Sequence, residues 1–225
     1  MKIIDVATIL VNVYRYGLLA AVAVLLLFFR RLDRYHKSLL VYLMLMLAME
    51  YSISILGKMF GNNHMALPVF ALIELCFFAY FYRTFYLFGK FRRIFLPPFV
   101  AAALLIIIEF IYYFTLHKAN PHVYQPYSKV AEDLVVLGMA FVVLNDAMSG
   151  KGAATTHNGF WFNLVVIMYF TFNTVFFLPF NFMVNAPTDV KFAFWMTHTL
   201  SIVGFYGFLS SRILRYAMGH VRVNS

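Results

Sequence analysis

The sequence is poor in charge, has a single cysteine and leaves little length for loops. Charged residues make up 12% of its 225 positions and apolar residues 63%, whereas soluble domains carry about a quarter charged and about half apolar residues. That balance excludes a soluble domain and makes the chain an integral membrane protein. Cys76 lies inside an apolar run, so it forms no intrachain disulfide and supplies no cysteine metal cluster. Alternating apolar and polar positions are also missing, which disfavours a transmembrane barrel. There is no phosphate-binding glycine loop and no HExxH or HxxxH pair, which disfavours nucleotide chemistry and an intramembrane zinc hydrolase. No lysine lies between Phe192 and Leu214, so the last apolar run cannot hold retinal as a Schiff base. Cys76 lacks a histidine on its own helix face. Catalysis is therefore the least favoured class, and neither a metal nor another cofactor is expected.

Long apolar stretches are abundant. A spanning helix needs about 20 mostly apolar residues, and seven segments qualify: 8–30, 38–57, 65–88, 97–116, 129–148, 160–184 and 192–214. Between them stand clusters of Gly, Pro, Asn and charge such as "RRLDRYHK", "GKMFGNNH" and "HKANPHVYQPYS", as loops require. Ser128 is placed to cap the fifth helix. The first segment reads as a retained span: Lys2 is soon followed by Asp5, Arg15 interrupts the apolar run, and Leu18–Phe29 meets Arg30 without a small-residue cleavage site. The expectation is an all-α, seven-helix transmembrane bundle forming one domain over 1–225, with no internal repeat.

The net charge of +9 reads as topology, not as nucleic-acid binding. One set of connections carries eleven basic residues: Arg30, Arg31, Arg34, Lys37, Lys90, Arg92, Arg93, Lys151, Arg212, Arg215 and Arg222. The other carries five: Lys2, Lys58, Lys118, Lys129 and Lys191. The positive-inside rule then puts the N-terminus outside and the C-terminus in the cytoplasm. Arg83, in the inner half of the third span, can snorkel to the interface.

Orientation converts residue numbers into depths. Arg15, Glu50, Glu74, Glu109, Glu132 and His198 come from six different spans and fall in one slab at or outside the midplane, with Asn173 beside it. An ionised group at the bilayer centre costs about 2.5–3.5 kcal/mol or more, so such groups face the bundle interior and pair. These seven residues are the candidate ligand-binding or polar network, read either as a cavity open to the extracytoplasmic side or as a buried network. Glu50 heads a small polar stripe with Ser54 and Gly57 at helical spacing. Glu74 has only apolar neighbours on its own helix, so it needs a partner on another, with Arg15 and His198 the candidates, or must be neutral. Lys129, Glu132 and Asp133 read as a solvated helix start with an i,i+4 Lys129–Asp133 pair. Asn173, near Pro179, could instead repair a proline-loosened helix.

Three stretches carry a resemblance: "YLMLMLAMEYSISILG" and "LPVFALIELCFFAYFY", each with one central glutamate, and "FWMTHTLSIVGFYGFLSSRIL", with an aromatic start and a His/Ser core. In them the chain resembles small bacterial seven-helix membrane proteins that are similar to the sensor modules joined to histidine kinases. The resemblance implies a sensing or partner-binding role in a bacterial inner membrane. No output domain is expected after Ser225, so signalling is expected to pass to a separate protein, at the basic cytoplasmic face or within the membrane. A small-molecule ligand fits that role. A proton- or cation-coupled transporter of small solutes and an accessory subunit of a membrane complex stay open beside it.

Overall fold

The computed structural model describes residues 3–60, 64–87, 89, 91–116, 124–150 and 157–223. Lys2, Lys90, Lys118 and Lys151, used above for orientation, lie outside the described residues. Among the described residues every regular element is helical: α1 (Ile3–Leu27), α2 (Arg34–Phe60), α3 (Ala66–Phe85), α4 (Phe91–Ile94), α5 (Leu96–Phe110), α6 (Tyr127–Met148), α7 (His157–Phe177), α8 (Phe180–Val184) and α9 (Thr188–Val223). A 3-10 turn, Phe29–Arg31, follows α1, and a π-helical segment, Ile111–Leu116, continues α5.

Among the described residues six helices are long and apolar enough to cross a membrane: α1, α2, α3, α5 with its flanks, α7 and α9. Helix α6 is long enough, at 22 residues, but Lys129, Glu132, Asp133 and Asp146 make it too charged to qualify by composition. The expected span over 160–184 is interrupted. Helix α7 ends at Phe177 and α8 starts at Phe180, because Pro179 has no N–H to donate and its ring crowds the preceding turn.

The chain divides into two compact units, one of residues 1–55 with 187–225 and one of residues 56–186. In the first, α1 packs along α9. Tyr42 of α2 meets the edges of Phe205 and Tyr206 with ring centres 6.3 and 6.0 Å apart. Asp33 starts α2. Its Oδ1 accepts from the His36 backbone N–H at 2.9 Å and lies 2.7 Å from His36 Nδ1, while the His36 ring stacks on Tyr216 of α9 at 4.0 Å. This is an N-terminal cap that also seats α9.

Partial burial pushes the Asp33 carboxyl up. The backbone and ring hydrogen bonds and the charge attraction of His36, with a bond from Tyr216, outweigh it and hold the group below its ordinary value. The cap therefore contributes fully above the unfolded carboxylate value near about 4 and is lost as pH falls through the lower folded value. Asp33→Ala is expected to cost roughly 1 kcal/mol at neutral pH and to flatten the acid limb of stability. Thermal unfolding in detergent from about pH 3 to about pH 6 measures both.

In the second unit α6 is the central helix, packed on α3, α5 and α7. Ala71 and Leu75 of α3 meet Ala102 and Ile106 of α5, with Ala131 and Val135 of α6 against them; the alanines let the helices approach closely. Helices α3 and α7 join through edge-on Phe78–Phe170 and tilted Phe81–Phe162 ring pairs at 4.9 and 5.2 Å. Tyr82 Oη donates to Asn163 Oδ1 at 2.9 Å. Ser149 closes α6, and Gly150 follows at φ +67°, a left-handed turn that glycine adopts without strain.

The break at Pro179 is bridged by Gln125. Its Nε2 donates to the Phe177 and Leu178 carbonyls at 2.8 and 2.9 Å, and its Oε1 accepts from the Asn181 N–H at 2.9 Å. One side-chain amide thus satisfies the end of α7 and the start of α8. That task was assigned above, as an alternative, to Asn173.

Candidate functional site: a buried ion cluster on α6

Residues three and four apart on a helix share a face, so Lys129, Glu132 and Asp133 project together from the first turns of α6. That face is buried, not solvated. Lys129 Nζ donates to Asp133 Oδ1 at 2.8 Å and to Glu132 Oε2. Across the helix boundary it donates to Glu74 Oε2 of α3 at 2.7 Å. The Lys129 side chain is 2% exposed and all three acids 0%. Aromatic faces roof the ammonium, with the Phe170 and Phe70 ring centres 5.5 and 5.8 Å from Nζ; such faces attract cations most strongly when water is excluded. Tyr169 closes the site from α7, within electrostatic reach of Glu74, Lys129 and Asp133, and hydrogen-bonds to Asn173. Asn173 is 1% exposed.

The cluster is rich in acid: one ammonium serves three carboxyl groups. Glu132 Oε1 and Asp133 Oδ2 are buried and meet no hydrogen-bond donor among the described residues, although the two carboxyl groups lie within hydrogen-bonding reach of each other. A proton or small cation entering here meets preformed acceptors, whereas a solute anion would be repelled. No group of three or more His, Cys, Asp or Glu among the described residues is arranged to hold a metal ion.

The remaining candidates are described by the partners they meet within their own units. Glu109 of α5 holds the start of α6. Its Oε1 accepts from Tyr124 Oη at 2.8 Å and Ser128 Oγ at 2.7 Å, and its Oε2 accepts from the Ser128 N–H at 2.8 Å. Ser128 is therefore not the cap itself: α6 begins at Tyr127, and Ser128 gives both its hydroxyl and its amide to Glu109. In the first unit, Arg15 Nε lies 3.5 Å from Glu50 Oε2 and its Nη1 3.5 Å from Ser54 Oγ, while Tyr14 Oη donates to Glu50 Oε1 at 3.1 Å. This pair is partly exposed, and such pairs contribute about 0–1 kcal/mol. His198 is 8% exposed, with Trp195 of its own helix edge-on at 6.1 Å.

Glu74 is thus ion-paired with Lys129, a partner the sequence reading did not offer it. Lys129 was counted above as a loop lysine, and removing it leaves the basic asymmetry with the same sign. The clue to it was present in the K-x-x-E-D spacing, in which three charges fall on one face at the start of a mostly apolar helix. Comparison of the chain with protein-family models, with curated proteins and with solved structures finds no match in any of the three.

Proposed function

We propose that the chain is a seven-helix module of a bacterial inner membrane, with its N-terminus outside and its C-terminus in the cytoplasm. In this reading α6 is the seventh spanning helix. The module senses a ligand or regulates a separate protein through a polar site that faces the extracytoplasmic side. The observation that carries this is the Lys129 cluster, which links α3 to α6 and is roofed by α7. A change in its charge alters the contact between these helices at once, and buried charges of this kind commonly mark sensing or ion pathways. The excess of carboxyl groups favours a second reading, proton- or cation-coupled transport, because a proton shared by Glu132 and Asp133 would satisfy both of their unmatched oxygens.

Cys76 gives a direct test. It is exposed on α3, two residues from Glu74. A polarity-sensitive fluorophore on Cys76 in reconstituted liposomes is expected to shift its emission when the outside pH is stepped, and Glu132→Gln is expected to abolish the shift. An unchanged emission, or the same shift in Glu132→Gln, sinks the proposal. Proton uptake under an imposed membrane potential, lost in the same variant, selects transport, whereas a label shift without uptake selects sensing. Recovery of the tagged chain in mild detergent with one stoichiometric membrane partner, independent of Glu132, selects the accessory-subunit role instead.

A further inference from the structure

The second unit also holds a cleft that the ion cluster does not use. It has a volume of about 280 Å³ and opens beside the last turns of α3, lined also by α4, the start of α5 and Met139 of α6. Its walls are Ala79, Leu87, Phe99 and Met139, with Arg83 and Arg92 as the cationic groups. Among the described residues no acidic side chain lines it. Arg92 is oriented, since its Nε donates to the Leu87 carbonyl at 2.9 Å, and Arg83 is exposed. One wall is fixed from behind: a side chain at Gly138 of α6 would approach the Phe95 ring to 3.3 Å, so Phe95 is seated against that glycine.

We infer that this cleft binds an anionic phospholipid, with the phosphodiester at Arg83 and Arg92 and part of one acyl chain along the apolar wall. Guanidinium groups match phosphate oxygens in geometry as well as charge. The apolar lining suits a methylene chain and offers nothing to a soluble anion. The orientation from basic residues puts this end of α3 at the cytoplasmic leaflet, where anionic lipids attract basic pockets between helices. A zwitterionic lipid has the same chains but loses the net attraction, so the site selects by headgroup.

The test uses the full chain in detergent, with phosphatidylglycerol, phosphatidylcholine or inorganic phosphate added in turn. Native mass spectrometry counts retained lipid, and the alkylation rate of Cys76, which also lines the cleft, reports occupancy. Phosphatidylglycerol is expected to be retained roughly tenfold better than phosphatidylcholine and to slow alkylation by a similar factor. The Arg83→Gln, Arg92→Gln double variant is expected to lose that preference. Ala79→Phe, which fills the cleft and keeps both charges, is expected to lose retention of either lipid. Equal retention of the two lipids, protection by phosphate alone, or a phosphatidylglycerol preference that survives in either variant overturns the inference. A melting temperature unchanged without lipid establishes that each variant is folded.

Discussion

Lys129→Met is expected to destabilise the protein by about 3–5 kcal/mol, the cost of removing one partner from a buried ion pair. The substitution nearly preserves side-chain volume and length, so packing alone does not account for a loss of that size. What changes is that Glu74, Glu132 and Asp133, all fully buried, lose their common donor. Lys129→Met combined with Glu74→Gln, Glu132→Gln and Asp133→Asn removes the stranded charge and is expected to recover much of the stability, although the carbonyl acceptors still lack the ammonium. Thermal unfolding in detergent measures both proteins. If the single variant melts with the wild type, the cluster does not hold the helices together. If the neutral variant is no better than the single one, geometry matters more than charge.

Glu109→Ala has the second-largest expected effect, about 2–4 kcal/mol. The glutamate accepts three hydrogen bonds, two from Ser128 and one from Tyr124, and each buried donor left without a partner costs about 1–3 kcal/mol, less where the site relaxes. Glu109→Gln keeps one carbonyl oxygen but turns the other position into a donor facing the Ser128 amide. It is expected to retain about half of the stabilisation. Hydrogen exchange localises the effect: the Ser128 amide should lose protection in Glu109→Ala while the middle of α6 keeps it. Equal loss along the whole helix would show that Glu109 supports packing and not the helix start.

The contrast between these two glutamates marks how far the sequence could be read. Helices were legible because apolar runs and their flanking Pro, Gly and charge clusters are local features. The helical class follows from them. Glu74 could be recognised as needing a partner, because nothing on its own helix offers one. The identity of that partner was not legible, since Lys129 lies 55 residues away and looks like a loop residue until α3 is laid against α6. Hydropathy places a helix end at a run of charges, so burial turned the meaning of "KVAED" from a solvated start into a core. Gln125 shows the same limit. Pro179 announced a loosened helix, but the residue that bridges it sits before α6, in a segment with no periodicity to read. Glu50 and Ser54 stand one turn apart on α2, and Arg15 of α1 meets both of them, a pairing the sequence reading did not specify.

The charge carried by α6 bears on how the chain is made. On the seven-helix reading, this helix leaves the ribosome with Lys129, Glu132 and Asp133 in its first two turns, and alone it partitions poorly into lipid. Glu74 is already synthesised by then, but Phe170 and Phe177, which roof the ammonium, emerge only afterwards. Entry of α6 into a bilayer is then expected to wait on α7, whose Phe170 faces the ammonium. On that reading a chain shortened before Phe170 is expected to leave α6 outside the membrane, which protease accessibility of α6 would measure.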